Sequence, residues 1–527
     1  MSVRRPLRLS LCVFLGLALH LPAQLLAQTA ADNIVPNRYI IVYRNPAIPG
    51  DAETRTLALG ARLLHRLDRL GIATVQYQRH PAFSPAAART TQQAAEDDQA
   101  TMRLLTAQPN VEYVFHDRVV TAHHLRIRPL PTSIDSTFSV VTGPAATYDT
   151  YYNSPQGWAV RQAGGYGSNI PGGPAHGPWD ITTGNGVRIA VLDSGVDASH
   201  PDLAPNVALN LSEVDPTVMP SICDDGSPRD QAGHGTWTAS LAAAALGPGT
   251  GRLIGVAPSA TLLNIKVLER MPMAILGGND TARCTAGESS GLLSWVIQGI
   301  EDAIANHADV ISMSLGATVD LSTGDGAGVK AAFDRVTYAA TQAGAVLVAA
   351  AGNDGYNLAN PRYIEIPAQS RGVLAIVAST NPDCMENTGS GAACVPGPPS
   401  LAYYSNYGAP LNALAAPGGS YPLGADMAVS GWVRGACSSG LPNTTDGLPT
   451  DSAHSFGCFD LGHTPYVQAI GTSASAPLIA GAVALLRSAH PDWDPTKVIN
   501  ALRATSSAPT ATLPAPQIDT AKALTQP

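Results

Sequence analysis

The sequence predicts an α/β fold: a mainly parallel β-sheet with helices on both faces. Three observations support this prediction. Short apolar segments typical of buried strands alternate with helical patterns from residue 187 to residue 378. Several of these strands end at a polar residue beside a glycine, as strands of open α/β sheets do at their ligand-binding edge. Apolar residues make up 45% of the 527 residues and charged residues only 13%, which suits a large core.

The first 27 residues have the pattern of a secretory signal peptide. Three arginines precede an apolar run from Leu9 to Leu21, and small residues follow at Ala23 and Ala27. The run is too short and too soon interrupted to span a membrane. We therefore expect cleavage near Ala27, with Ala23 and Ala30 as alternatives. The protein would be secreted (extracellular), with a periplasmic location as the alternative, and would have no membrane anchor.

Residues 33–124 are predicted to form a separate small α/β domain, and residues 125–178 a proline-interrupted linker followed by an extended N-terminal arm. The mature chain could begin within that linker. The elements predicted in the small domain are a strand at Arg38–Tyr43, a helix from Asp51 to Leu70, a strand at Ala73–Tyr77, a helix from Thr91 to Leu105 and a strand at Val111–Phe115.

Residues 179–527 carry the α/β alternation and are predicted to form the main domain. The predicted strands are Val187–Leu192, Thr261–Leu268, Val310–Leu315, Val346–Ala351 and Val373–Ala378, and the predicted helices are Trp237–Leu246, Ser290–Asn306, Val329–Ala343 and Leu478–Ser488. We expect the polar loop with Asp224, Asp225 and Asp230 to be solvated.

Ser473 lies in a turn of small residues just before the last apolar helix. Thr472 can cap this helix, which would place Ser473 in its first turn. The amides of such a turn point outward and favour negative charge. Pro477 has no N–H to donate to the Ser473 carbonyl four residues earlier, so the turn should be loosely bonded. Alone, this pattern is only a capped helix.

Three further polar residues stand at the ends of predicted elements. Asp193 follows a strand, His234 lies between two glycines just before a helix, and Asn353 follows another strand. Acyl transfer needs these residue types, because a serine needs a base, the base needs a carboxylate, and the oxyanion needs hydrogen-bond donors. The order Asp193, His234, Ser473 is the order found in subtilisins, and the sequence around Ser473 lacks the G-x-S-x-G motif of α/β-hydrolases because Ser475 occupies the last position.

At these positions the chain resembles the subtilisin-like serine proteases (subtilases), of the secreted bacterial type with an N-terminal propeptide. The matching motifs are Val191–Asp197, Gly233–Thr236, Ser314–Gly316, Ala350–Asn353 and Gly471–Ser473, supported by Gly255–Pro258 and Ala416–Gly418. They stand in the order of the family and cover roughly residues 179–502.

The resemblance implies a role for each matching residue. Asp193 would orient the base, His234 would be the general base and acid, Ser473 the nucleophile, and Asn353 the side-chain donor to the oxyanion. The substrate channel would be lined by Ser314, Leu315, Gly316, Ala351 and Gly352. Residues 33–124 would be the propeptide, which folds the enzyme and inhibits it from within the same chain.

The chain departs from the family pattern at three places. Trp237 stands where many relatives have histidine, and Ala474 where methionine is usual, so we expect altered specificity rather than altered chemistry. Asp202 matches a calcium-ligand position, but residues 246–253 lack the asparagine of the calcium loop. Structural calcium is therefore possible but not assignable, the metal remains unknown, and the chemistry itself requires no cofactor.

Seven cysteines are present, of which Cys12 belongs to the predicted signal peptide. The other six form an even set, which in an exported protein favours up to three disulfides. Cys384–Cys394 and Cys437–Cys458 would each close a local loop and would leave Cys223–Cys284, although the sequence does not fix the pairing. No C-x-x-C pair is present, so a zinc site is not expected.

We therefore expect a monomeric secreted serine endopeptidase that cleaves proteins through an acyl-enzyme and is made as a self-processing precursor. The alternative is a catalytically silent subtilase-fold module that binds peptides. The net charge of −9 and the lack of a long basic run argue against nucleic-acid binding. No acidic residue can be placed at the base of the specificity pocket from sequence, so the family resemblance alone implies broad specificity with an apolar bias.

Overall fold

The computed structural model describes residues 34–77, 91–122, 126–129, 150–153, 157–168, 176–247, 252–273, 275, 277–382, 397–408, 411–420, 431–438, 457–459 and 465–526. The predicted signal peptide and the Cys384–Cys394 pair lie outside these residues. Within the described residues, no helix has both the length and the apolar character needed to cross a membrane.

The described strands are β1 (Ile34–Tyr43), β2 (Ala61–Leu67), β3 (Ile72–Tyr77), β4 (Val111–Ala122), β5 (Arg126–Pro129), β6 (Arg188–Asp193), β7 (Val207–Ser212), β8 (Thr261–Lys266), β9 (Leu268–Met271), β10 (Glu288–Leu292), β11 (Val310–Met313), β12 (Leu315–Asp320), β13 (Val346–Ala350), β14 (Tyr363–Ile366), β15 (Val373–Ser379), β16 (Ala413–Pro417), β17 (Val433–Ala436) and β18 (Tyr466–Ile470).

The described helices are α1 (Ala52–Ala58), α2 (Thr91–Thr106), α3 (Thr150–Asn153), α4 (Trp158–Gln162), α5 (His234–Ala243), α6 (Asp280–Thr285), α7 (Leu293–Ala305), α8 (Gly324–Gln342), α9 (Thr472–Ala489), α10 (Pro495–Thr505) and α11 (Thr520–Leu524), with a 3₁₀ turn at Pro178–Asp180.

A parallel sheet with the order β16-β15-β13-β11-β6-β8-β7 forms the centre of the main domain. Alternate residues of β6 face opposite sides. Ile189 and Val191 pack with α5 and α9, whereas Ala190 and Leu192 pack with α7 and α8. Helices therefore cover both faces, as the sequence predicted.

The N-terminal unit comprises β1–β4, α1 and α2. One sequence prediction for this unit was wrong. The helix expected from Asp51 to Leu70 ends at Ala58, and the next residues form β2, which pairs with β3. Gly60 has a φ of +80°, which stops the helix because a left-handed residue cannot continue it. The apolar residues at helical spacing beyond this glycine belong to a strand.

Strand β4 lies between two strands of the main domain. Its residues Val119–Thr121 pair antiparallel with β10, and Thr121 and Ala122 pair antiparallel with Leu315 and Gly316 of β12. This pairing explains why the helix predicted from Ser290 begins only at Leu293, since residues 288–292 are held as a strand between β4 and β9. In the region predicted to be a linker, β5 pairs antiparallel with β18.

A fully buried ion pair joins the N-terminal unit to α7. Arg38 donates to Asp117 at 2.7 Å, and neither side chain is exposed. Asp117 also accepts from the backbone N–H of Ser294 at 3.1 Å and from its hydroxyl at 2.5 Å, at the first turn of α7. The carboxylate thus satisfies a free helix amide and interacts with the positive end of the helix dipole.

His116, one residue earlier, joins the N-terminal unit to α8. Its Nδ1 lies 2.6 Å from Asp325 and its Nε2 2.9 Å from Asp98, and Asp325 also accepts from Arg118 at 3.1 Å. Burial lowers the pKa of His116, but the hydrogen bonds and charges of Asp325 and Asp98 outweigh that effect and raise it to about 9. The imidazolium therefore donates to both carboxylates at neutral pH.

We expect the His116 contact to stabilise the folded chain below pH 9 and to lose its effect above it. A histidine whose pKa rises on folding contributes fully below the unfolded-state value of 6.5 and loses that contribution as the pH passes its folded-state value. His116→Gln should cost roughly 1–2 kcal/mol of unfolding free energy near pH 6, after solvent screening, and almost nothing at about pH 10. Urea denaturation measures both costs, and equal costs would contradict the assignment.

Candidate active site

Three neighbouring strands of the parallel sheet deliver polar residues to one edge. Asp193 is the last residue of β6, Ser314 follows β11, and Asn353 comes soon after β13. The carboxyl ends of parallel strands meet at the same edge, which is where open α/β sheets bind ligands. The sequence-predicted residues Asp193, Ser314 and Asn353 therefore lie at the same edge of the sheet.

Asp193 and His234 are in direct contact. His234 Nδ1 lies 2.7 Å from Asp193 Oδ1, and both side chains are buried. The same carboxylate accepts from the Ser194 amide at 2.7 Å and from the Thr238 hydroxyl at 3.2 Å. These donors hold the Asp193 side chain in place, and its contact with Nδ1 fixes the tautomer and orientation of the imidazole.

Gly235 permits this contact. A Cβ at this position would lie 2.0 Å from the Gly195 carbonyl oxygen and 3.1 Å from Asp193 Cβ. Any larger residue would push the first turn of α5 away from the end of β6. The helix also begins earlier than predicted, at His234 itself rather than at Trp237.

Asp230, expected from the sequence to be solvated, is buried and bonded instead. It accepts from the amides of Ala232, Gly233 and Thr236 at 3.0, 2.6 and 2.9 Å, and from the Thr236 hydroxyl at 2.6 Å. Burial raises the pKa of this carboxyl, against the lowering effect of its hydrogen bonds. Asp230 caps the turn that leads into α5. Its position four residues before His234 was the sequence signal that could have indicated this capping role.

Asp224 was also expected to be solvated, but it is buried and forms an ion pair with Lys266 at 2.8 Å. The disulfide between Cys223 and Cys284 holds the same loop, and a second disulfide joins Cys437 to Cys458. Both pairings match those named from the sequence.

Two aromatic rings flank the imidazole of His234. Trp237 lies edge-on at a centroid distance of 5.8 Å and Phe459 at 6.1 Å. Trp237 is one of the departures from the family pattern noted in the sequence, and Phe459 follows the disulfide residue Cys458. The apolar rings reduce the access of water to the imidazole.

Ser473 is the second residue of α9, directly after β18. Its hydroxyl donates to the Ser314 carbonyl at 3.3 Å, and the Ser314 hydroxyl donates to the Ser473 carbonyl at 3.0 Å. Because Pro477 has no N–H, the Ser473 carbonyl is available for this bond. The predicted loose turn therefore connects the serine to the strand that lines the cleft.

Thr472 does not cap α9, contrary to the sequence prediction. The N-cap is Gly471, with a φ of 152°, and it has no side-chain cap. The Thr472 amide and hydroxyl both donate to Asn353 Oδ1 at 2.9 Å. These bonds fix the orientation of the Asn353 amide, and among the described residues its buried Nδ2, a hydrogen-bond donor, has no hydrogen-bond partner.

Helices α5 and α9 approach closely because their facing residues are small. A Cβ on Gly481 would lie 2.8 Å from the Ala242 carbonyl oxygen. Both helices are buried along almost their full length. This packing holds His234 and Ser473 at the first turns of neighbouring helices.

Of the residues predicted from the sequence to line a substrate channel, Leu315 and Gly316 begin β12, and Ala351 and Gly352 follow β13. Leu315 and Gly316 pair with β4, and both Ala351 and Gly352 are buried. The Ala351 amide donates to Ile376 at 2.9 Å, which fixes the turn that leads to Asn353.

The expected calcium position lacks a ligand set among the described residues. Asp202 Oδ1 accepts from the Leu253 amide at 3.3 Å, and burial raises the pKa of this carboxyl. Arg252 stands over the rings of Tyr151 and Tyr466, at 5.5 and 5.7 Å.

At this edge of the sheet an imidazole is oriented by a carboxylate, which is an arrangement that serine hydrolases use. The pattern that defines the subtilase family matches residues 184–521, and the chain belongs to that family.

The chain is 32% identical over 325 residues to subtilisin NAT of Bacillus subtilis subsp. natto, covering 62% of this chain and 61% of that protein. It is 36% identical over 257 residues to thermitase of Thermoactinomyces vulgaris, covering 48% and 72%. Among solved structures, fervidolysin from Fervidobacterium pennivorans shares the fold, with a TM-score of 0.58 at 19% identity over 94% of this chain and 62% of that one.

We expect Gly233→Ala to destabilise the protein more than Gly186→Ala does. Both glycines have positive φ, +98° and +81°, so both alanines cost about 1 kcal/mol of backbone strain. Only at Gly233 would the new Cβ meet neighbours, Cys437 Sγ at 2.7 Å and Cys458 Cα at 2.8 Å. Overpacking adds about 1–3 kcal/mol. Calorimetry compares the two melting temperatures, and equal values would refute the packing argument.

Proposed function

We propose that this chain is a secreted serine endopeptidase that cleaves proteins and is made as a self-processing precursor. The observation that carries the proposal is the 2.7 Å bond between His234 Nδ1 and Asp193 at the edge where Ser473 begins α9. Its subtilase membership supports the same reaction. No metal or cofactor takes part in the proposed chemistry.

In the proposed reaction, Ser473 Oγ attacks the carbonyl carbon of the scissile bond while His234 Nε2 takes the hydroxyl proton. Asp193 stabilises the imidazolium that forms. Asn353 Nδ2 and the Ser473 N–H donate to the oxyanion, and their preorganisation lowers the barrier because they need no rearrangement during the reaction. His234 then protonates the leaving amine, and water releases the acyl group by the same route.

The paths of β4 and β5 support self-processing. Ala122 pairs with Leu315 on one side of the cleft, and Arg126 pairs with Ile470 on the other, three residues before Ser473. Only residues 123–125 separate these two paired strands. We propose that Ser473 cuts the chain between Ala122 and Arg126, which releases the segment before the cut as the propeptide.

The same pairing supports inhibition by the propeptide. A substrate would add as an extended strand between β10 and β12. Strand β4 already occupies that place, and the contacts of Arg38, His116 and Asp117 with the main domain hold it there. The propeptide would therefore compete with substrates until it is removed.

Export is proposed from the signal-peptide pattern of residues 1–27, and the two disulfides fit an oxidising compartment. We propose that the mature enzyme acts outside the cell as a monomer. A periplasmic site of action fits the same observations.

We expect a fluorophosphonate to label Ser473 in the processed protein, because only an activated serine reacts. Peptide mass spectrometry should find the tag on Ser473 in the wild type and in Ser475→Ala, a control two residues away. His234→Ala should abolish it. A folded, processed chain that takes no tag would favour the silent peptide-binding module.

Intact mass in the same samples tests self-processing. The wild type should begin between residues 123 and 126, and Ser473→Ala should retain the propeptide. Normal trimming of Ser473→Ala in a protease-deficient host would contradict self-processing while leaving proteolysis untouched.

We expect Asn353→Ala to lower kcat by about 10²–10³-fold with little change in KM, as loss of the side-chain oxyanion donor does in a subtilisin. The amide acts mainly when charge develops on the substrate oxygen, so ground-state binding should change little. Steady-state kinetics on one peptide separates the two constants. A rise in KM at unchanged kcat would assign Asn353 to substrate binding instead.

A further inference from the structure

We propose that Glu365 forms the base of the pocket for the substrate side chain on the amino side of the scissile bond, and that it selects a basic residue there. The inference rests on the proposed function and deepens it. It replaces the sequence-based expectation of an apolar bias.

Glu365 is held beneath the strand that pairs with substrate. It lies on β14, which runs antiparallel to β12, and it stands directly opposite Thr318. Its side chain is buried, and its Oε2 accepts from the Thr318 hydroxyl at 2.9 Å. Burying a carboxylate costs free energy, so buried carboxylates occur where a cation or a set of hydrogen-bond donors contacts them.

The alternation of β12 places this carboxylate on the side that a bound peptide faces. Gly316 and Thr318 point to the same face because they are two residues apart. Thr121 pairs with Gly316, and Ala122 pairs with Leu315. A peptide bound in the same register would place its next residue opposite Ser314, on the same face as Gly316 and Thr318. Gly316 has no side chain and so leaves room between the peptide and the carboxylate.

A second wall of the pocket comes from the turn that carries the oxyanion donor. A Cβ on Gly352 would lie 3.5 Å from Glu365 Cδ. Gly352 directly precedes Asn353, so the carboxylate stands behind the residue next to the proposed oxyanion donor.

The residue opposite Ser314 is also the one whose carbonyl meets the nucleophile, since Ser473 Oγ lies 3.3 Å from the Ser314 carbonyl oxygen. An arginine or lysine at this position can extend its charged end to Glu365 and make a charge-assisted hydrogen bond away from water. In this chain the residue after Ala122 is His123, which is basic when protonated.

The test uses the processed enzyme and fluorogenic peptides with the sequence Val-Thr-Ala-X, which copies Val120–Ala122 and varies the residue X. We expect kcat/KM for X = Arg or Lys to exceed that for X = Gln by about tenfold or more, the usual effect of a charged hydrogen bond. Glu365→Gln should bring the Arg-to-Gln ratio close to one.

Asp354→Asn is the matched control, because it removes one negative charge from an exposed position next to Asn353. Its Arg-to-Gln ratio should stay at the wild-type value. Wild-type cleavage of X = Leu or Phe at least as fast as X = Arg would overturn the inference without needing any variant, as would an unchanged ratio in Glu365→Gln. Failure to cleave any peptide, together with no fluorophosphonate tag on Ser473, would overturn the proposed function as well.

Discussion

The contact between the first turn of α5 and the carboxyl end of β6 is the constraint on which the rest of the site depends. The 2.7 Å bond from His234 to Asp193 needs the backbone of α5 to approach the Gly195 carbonyl so closely that only glycine fits at position 235. Asp230 holds the preceding turn through four hydrogen bonds from Ala232, Gly233 and Thr236. A helix, a strand and a loop are therefore fixed together at one point, and the position of the proposed base follows from their packing.

The sequence allowed the parallel sheet and the proposed triad to be predicted because their signals are local. Buried strands and the motifs at their ends can be identified within about ten residues, and the order of Asp193, His234 and Ser473 separates this family from other serine hydrolases. The two disulfides within the described residues also matched the pairings named in advance.

The errors in prediction arose where distant segments pair. Residues 61–67 and 290–292 were predicted to be helical but form strands, because β3, β4 and β9 offer them hydrogen bonds. Thr472 donates a hydrogen bond to Asn353, which is 119 residues away, instead of capping its own helix. Asp224 is buried against Lys266, a partner 42 residues away that no local pattern identifies. Glu365 was missed for the same reason, since only the register of β12 and β14 places it beneath the cleft.

Strand β4 gives one explanation for both folding and inhibition. Two strands of the main domain, β10 and β12, hydrogen-bond through β4 rather than to each other, so the N-terminal unit completes a sheet that the main domain leaves open. The same open edge is the proposed substrate site, and filling it therefore both stabilises the chain and blocks the cleft. The unit is anchored away from the cleft by Asp117 at the start of α7 and by His116 at Asp325. A cut between Ala122 and Arg126 would leave these anchors intact, so release of the propeptide must be a separate step that follows the chemistry.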